Sequence, residues 1–200
     1  DNRILGLLGA DTIVGGDGND TLIGGTGSDV ISGGIGVDTV SYEDSTSAVT
    51  VSLGIAANSG TSSGGAGTDS INYDVENVIG GTGNDTLTGG DGADVFLFNF
   101  APNATSNRDR ITDFSSVQDD IWLSRAVMTG LGPTLGTLSV DAFRSGAGIT
   151  TAGDASDRII YNTTNGALYY DADGTGRGAA IQLADLTGAP NLTFGDFLIV

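Results

Sequence analysis

Cysteine and histidine are both missing from this 200-residue chain, and lysine is missing too; all 7 basic residues are arginine. Without histidine there is no Ser-His-Asp triad and no imidazole metal site of the hydrolase type. Without cysteine there is no disulfide, thiolate metal site or thiol nucleophile. A secreted form would therefore need some other staple. The 7 basic residues face 25 acidic ones, a net charge of -18, which argues against nucleic acid, whose binders carry a basic face, and against anionic membranes. No apolar run approaches the ~18 residues of a membrane-spanning helix. The chain starts at Asp1 with neither an initiator methionine nor a signal-peptide pattern, and reads as a fragment of something longer.

What is present is aspartate, glycine and short apolar pulses. Of the acids, 23 are Asp and only Glu43 and Glu76 are Glu. Gly is 34 of 200, far above the usual ~7%. High net charge often marks disorder, but 38% hydrophobic residues and a mean hydropathy of +0.08 do not. Residues 1–99 hold 22 of the glycines and 14 of the acids, with Arg3 as their one basic residue. Residues 100–200 hold the other Arg and most long apolar side chains. The expected division is a repeat region at 1–99, interrupted at 42–79, and a C-terminal region at 100–200.

The first region repeats every nine residues. The units are GLLGADTIV (6–14), GGDGNDTLI (15–23), GGTGSDVIS (24–32) and GGIGVDTVS (33–41), then GGTGNDTLT (80–88) and GGDGADVFL (89–97). The sixth position is Asp11, Asp20, Asp29, Asp38, Asp85 or Asp94; the eighth is Ile13, Leu22, Ile31, Val40, Leu87 or Phe96. Glu76 and Val78 fall at the same positions of a degenerate unit, 71–79. Three glycines in four residues form a turn. The three residues after each Asp form a short strand with one side chain inward. Two units make one coil of eighteen residues, and stacked coils give two parallel sheets around a thin apolar column.

Stacking sets Asp11 over Asp29 and Asp20 over Asp38. Carboxylates ~4–5 Å apart repel by roughly 3–4 kcal/mol at an effective dielectric near 20. A hard dication between them reverses the sign. Ca²⁺ takes about six to eight oxygens in flexible geometry, whereas Mg²⁺ holds its waters and prefers strict octahedra. Transition metals would favour His or Cys.

The pattern GG-x-G-x-D-x-U-x resembles the RTX, or hemolysin-type, calcium-binding nonapeptide. That resemblance implies an all-β fold: a parallel β-roll closed by a C-terminal antiparallel β-region. It also implies several Ca²⁺ ions, each held by sixth-position Asp and by main-chain carbonyls of positions 1 to 4. Carried over, these are Gly15, Asp17 and Gly18 with Asp20; Gly24, Thr26 and Gly27 with Asp29; and Gly33, Ile35 and Gly36 with Asp38. The second block contributes Gly80, Thr82 and Gly83 with Asp85, and Gly89, Asp91 and Gly92 with Asp94. The unit 6–14 departs, with Leu7 and Leu8 in the turn, so Asp11 is a ligand on the strength of its position alone.

In the interruption, Val49–Leu53 alternates as a strand, residues 58–67 read as a loop, and the stretches from Asp69 and Glu76 read as coils re-entering the roll. Glu76 lies eighteen residues before Asp94 and has two readings, a ligand facing Asp94 across a calcium or a solvated carboxylate. Beyond Asp94, strands are expected at Val95–Phe98, Arg110–Phe114, Ile121–Leu123, Arg158–Tyr161, Leu168–Tyr170, Ala179–Leu183 and Phe197–Val200. Asn165-Gly166 signals a hairpin. This region is expected to cover an open end of the roll. The run Asp109-Arg-Ile-Thr-Asp113-Phe, with Asp119-Asp120 after it, resembles the stretch that closes the roll in serralysin-type C-terminal domains. Asp109 and Asp113 then read either as a further calcium site or as a surface cluster beside Arg108 and Arg110. Asp171-Ala-Asp173-Gly174 looks like the start of an EF-hand loop, but Gln182 stands at the twelfth position and strands flank it, which favours a hairpin turn. The final Asp196-Phe197-Leu198-Ile199-Val200 resembles the C-terminal signal of type I secretion substrates.

The function this implies is a calcium-binding module of a secreted bacterial protein. It would be unfolded at low calcium and fold on binding Ca²⁺ outside the cell after passage through a type I exporter, with an upstream domain on the same polypeptide. The rival readings are the non-catalytic part of a larger secreted enzyme (protease, lipase or epimerase) and a surface adhesin or surface-layer component. Intrinsic glycosidase chemistry by paired acids is disfavoured, because the clustered Asp already have ligand positions. The Thr and Asn on the turns form too short and irregular an array for ice binding.

Overall fold

The computed structural model describes residues 1–55, 59–103 and 105–200. The chain forms two compact units, Asp1–Phe96 and Leu97–Val200.

In the first unit the nine-residue period becomes alternating strands of two sheets. The strands are β1 (Arg3–Leu5), β2 (Thr12–Asp17), β3 (Thr21–Ile23), β4 (Val30–Ile35), β5 (Thr39–Ser41), β6 (Val49–Ser52), β7 (Gly60–Gly64), β8 (Ser70–Ile71), β9 (Asn77–Ile79), β10 (Thr86–Thr88) and β11 (Val95–Phe98). One sheet runs β1-β3-β5-β9-β11, every neighbour parallel. The other runs β2-β4-β8-β7-β6-β10. In-register pairing puts Ile4 beside Leu22, Leu22 beside Val40, Val40 beside Val78, and Val78 beside Phe96. Opposite them run Ile13, Ile31 and Ile71. Leu22, Ile31, Val40, Ile71, Val78 and Phe96 are wholly buried, so the expected apolar column is the core.

β2 and β4 are longer than the expected three residues because the turns pair as well, Gly16 with Gly34 and Asp17 with Ile35. The larger departure is in the interruption. The expected loop at 58–67 holds a strand over Gly60–Gly64: β7 pairs antiparallel with β6 and with β8 (Asn58 itself lies outside the described residues). Its Gly/Ser composition carries little strand propensity, and cross-strand packing decides instead: Ser62, opposite Val51, is buried. Between β5 and β9, one sheet thus receives three strands where a plain coil supplies one.

The second unit contains β12 (Asp109–Ile111), β13 (Asp120–Leu123), β14 (Gly136–Thr137), β15 (Phe143–Gly146), β16 (Ile159–Asn162), β17 (Ala167–Tyr170), β18 (Ile181–Leu186) and β19 (Phe197–Ile199). β16, β17 and β18 form the expected antiparallel meander, turning at Asn165-Gly166. β14 is antiparallel to β19, but β15–β16, β12–β18 and β13–β19 are parallel. Its core gathers Ile111, Ile121, Leu123, Met128, Ile159, Tyr161, Leu168, Leu186 and Phe197.

Candidate metal sites along the turns

Each position in a turn has its own steric reason. At the second position φ is positive, from +92° at Gly25 to +113° at Gly34, a region that favours glycine. In the departing unit Leu7 adopts it, with φ +78°. The first glycine is needed for another reason. A Cβ on Gly15, Gly24 or Gly33 would collide with Oδ2 of Asp20, Asp29 or Asp38 in the same unit, and Gly80 and Gly89 stand likewise against Asp85 and Asp94. Glycines of adjacent coils also touch backbone to backbone: a Cβ on Gly27 or Gly36 would meet the carbonyl of Gly9 or Gly18.

The aspartates form two ladders. The main-chain N–H of Asp11 donates to Asp29 Oδ1 at 2.9 Å, and that of Asp20 to Asp38 Oδ1 at 2.8 Å. Asn2 donates to Asp20 Oδ1 at 2.6 Å, and Val49 to Asp85 Oδ1 at 2.9 Å. One oxygen of Asp20, Asp29, Asp38 and Asp85 is thus satisfied by the coil before it. The second oxygens, Oδ2 of Asp11, Asp20, Asp29 and Asp38, are buried with no hydrogen-bond partner. A buried acceptor without a donor costs ~1–3 kcal/mol, more when charged. Burial pushes the Asp29 carboxyl up, against the pull of the Asp11 N–H, and the charges of Asp69 and Asp11 add to the rise. Asp38 is raised in the same way, with Asp20 and Asp74 as neighbours. Burial alone lifts Asp85 to about 6, the Val49 N–H opposing it.

Such oxygens fit a hard cation. Among the described residues no three acidic side chains gather round one point, so an ion here must draw on main-chain carbonyls as well. Flexible oxygen coordination of that kind suits Ca²⁺. The third-position side chains Asp17, Thr26, Ile35 and Asp91 are exposed and Thr82 is half-buried; what these positions offer inward is backbone.

Glu76 stands on a ladder rung: its Oε2 accepts the Asp38 N–H at 2.8 Å. Burial raises its pKa, with Asp38 and Asp74 adding to the rise. Pairing of Asn77 with Val95 sets Glu76 level with Asp94, which is buried. One repeat is only half legible as a re-entering coil from Asp69, its glycine turn reading as a loop. Residues 64–72, GGAGTDSIN, match the nonapeptide at every fixed position, and Gly67 bridges Gly27 in the preceding turn. Its Asp69 is buried and accepts the Asp29 N–H at 3.0 Å. The signal was available, but it lies out of phase with a count in nines from Gly6.

In the second unit Asp109 is buried at the head of β12, while Asp113 is exposed beyond its end. Asp119 closes a turn by accepting the Ser115 N–H at 2.8 Å. Asp171 Oδ1 accepts the N–H of Asp173, whose Oδ2 accepts that of Gly178, a hairpin turn between β17 and β18. Asp196 Oδ2 takes the main-chain N–H of Thr193 at 2.6 Å and its hydroxyl at 2.9 Å, capping a short 3₁₀ turn ahead of β19. Phe197 and Ile199 are buried; Leu198 and Val200 are half-buried.

A parallel β-roll with carboxylate ladders along its turns defines the class of protein. Residues 1–40 match the RTX calcium-binding nonapeptide repeat, in 4 copies, and residues 32–152 match the serralysin C-terminal domain of peptidase M10. The chain belongs to that serralysin C-terminal family and carries RTX calcium-binding repeats. Neither match is to a catalytic domain. Among curated proteins none matches. Solved structures similar to it include the following two. One is the AlgE6R3 subunit of the Azotobacter vinelandii mannuronan C5-epimerase, 19% identical, covering 94% of this chain and 77% of that one at a TM-score of 0.36. The other is the extracellular lipase LipA of Serratia marcescens, 14% identical, covering 96% of this chain and 38% of that one at a TM-score of 0.32.

Proposed function

We propose that this chain is the calcium-responsive folding and export module of a secreted bacterial protein. The observation that carries the reading is the set of four buried, unpartnered Oδ2 atoms on Asp11, Asp20, Asp29 and Asp38. Four such groups cost on the order of 4–12 kcal/mol, comparable with the whole stability of a domain, about 5–15 kcal/mol. Ca²⁺ bound to the folded state offsets this by about 2.7 kcal/mol per site at 100 Kd. Extracellular calcium modules have Kd of ~10⁻⁴–10⁻³ M, so the sites stay empty in a low-calcium cytosol and fill outside.

The residues that would hold the ions are the sixth-position Asp of both blocks, Glu76, and the carbonyls of the turns 15–18, 24–27, 33–36, 80–83 and 89–92. The ion supplies positive charge that binds neighbouring coils. The chain's own part is to present one carboxylate oxygen per rung while a main-chain N–H fixes the other. Asp109 and Asp113 are a further candidate pair. Residues 196–200 are the proposed type I secretion signal, read while the chain is unfolded. The match to the C-terminal domain of a peptidase supports attachment to an upstream domain that carries the activity of the whole protein.

The test is circular dichroism with calcium added and removed. Calcium depletion is expected to abolish most of the strand signal from residues 1–96 and readdition to restore it. A spectrum and melting temperature indifferent to calcium would refute the reading.

A further inference from the structure

Two buried or half-buried carboxylates in the interruption differ from the ladder aspartates. Asp69 Oδ1 accepts the Asp29 N–H, as the ladder requires. Its Oδ2 accepts the Tyr42 hydroxyl at 2.9 Å and the Ser62 hydroxyl at 2.7 Å, and Ser62 Oγ in turn accepts the Asp69 N–H at 3.1 Å. A carboxylate oxygen has about two lone-pair sites, so two hydroxyl donors fill this one. Tyr42, Ser62 and Asp69 are all buried. On the opposite edge Asp74 Oδ1 accepts the Gly33 N–H at 3.0 Å. Its Oδ2 accepts the Ser32 hydroxyl at 2.8 Å, the Asn72 amide at 3.2 Å and the Gly34 N–H at 3.2 Å.

We propose that Asp69 and Asp74 form a metal-free terminator inside the interruption, which holds Asp29 and the turn 33–36 of the two ladders by hydrogen bonds where the preceding rungs use a cation, while Glu76 remains the ion-facing carboxylate of this segment. This rests on the calcium reading above and sharpens it. A cation at Asp69 would have to displace two hydroxyl donors and leave both buried without an acceptor. At Asp74 it would have to strip the turn 33–36 of its anchor. The repeat at 64–72 thus keeps the nonapeptide's sequence and its buried Ile71, with positive φ at Gly64 instead of Gly65, while its aspartate is assigned to protons on Tyr42 and Ser62. The ions are left to the sixth-position Asp on either side of residues 42–79 and to Glu76, and the Tyr42 and Ser62 hydroxyls hold Asp69 in place of a cation.

Native mass spectrometry of the 200-residue chain at saturating calcium tests this by ion count. Asp29→Asn is expected to lose one ion, whereas Asp69→Asn and Asp74→Asn are expected to keep the wild-type count. Loss of an ion in either of the latter overturns the terminator. A wild-type chain that binds no calcium, with Asp29→Asn indistinguishable from it, marks failure of the calcium reading instead. Should Asp69→Asn not fold, the double variant Tyr42→Phe/Ser62→Ala decides. It is expected to melt ~5 °C lower at saturating calcium, with an unchanged ion count and a calcium midpoint within about twofold of wild type. A midpoint raised about tenfold, or a missing ion, overturns the proposal.

Discussion

Acidifying the calcium-depleted chain should stabilise its first unit, the reverse of ordinary acid denaturation. Burial lifts the Asp85 carboxyl from its usual 3.8 to about 6, and burial is also the main cause that raises Asp29, Asp38 and Glu76. A carboxyl with a higher pKa in the folded state binds its proton more tightly there. Its stabilising contribution is complete below the unfolded pKa and is lost as pH rises through the folded one. For Asp85 that window runs from 3.8 to about 6. The difference corresponds to ~3 kcal/mol, reduced to ~2 kcal/mol by solvent screening. Asp154 and Asp173, held low chiefly by local hydrogen bonds, oppose this only as exposed groups of the second unit. The assay is circular dichroism of the depleted chain between about pH 7.5 and about pH 4.5, with strand signal expected to grow as pH falls. Asp85→Asn should flatten the upper part of the profile. A depleted chain more stable at neutral than at acid pH, or an Asp85→Asn profile parallel to wild type, would refute the reasoning. With calcium present the trend should invert, because the cation needs the carboxylates ionised.

Four smaller predictions concern the turns and the tail. Gly24→Ala should push the Asp29 carboxylate aside, costing ~1–3 kcal/mol and weakening calcium binding about tenfold by calorimetry. Gly16→Ala, with open space but φ +102°, should cost only the ~1–2 kcal/mol of a left-handed residue. Leu7→Gly should raise stability by ~0.5–1 kcal/mol in thermal melts, since Leu7 is exposed at φ +78°. Asp196→Ala should lower stability of the second unit by ~1–2 kcal/mol in urea unfolding, through loss of its cap on Thr193.

The roll was legible because the repeat is a steric code. The glycines of a unit are fixed by a positive φ, by the unit's own aspartate or by the backbone of the next coil, so a sequence that folds this way must show them at constant offsets. Insertions carry no such constraint. GGAGTDSIN at 64–72 is as regular as its neighbours, but forty residues separate it from Gly24, and a register counted in nines steps over it; a search for the motif free of phase finds it. The partners of Asp69 were beyond reach, since nothing local ties Tyr42 or Ser62 to it. In the second unit the turn at Asn165-Gly166 was readable from two residues. The parallel pairing of β12 with β18 and of β13 with β19 joins segments far apart in the chain, and their side-chain patterns do not distinguish direction.

The strand β19 lies between β13 and β14, paired on both sides, with Phe197 and Ile199 out of reach of solvent. The secretion signal proposed for residues 196–200 would therefore be masked by folding. An exporter reading it as a linear peptide would then have to do so before that sheet closes, because the folded molecule leaves only Leu198 and Val200 half-buried and the rest of the segment covered.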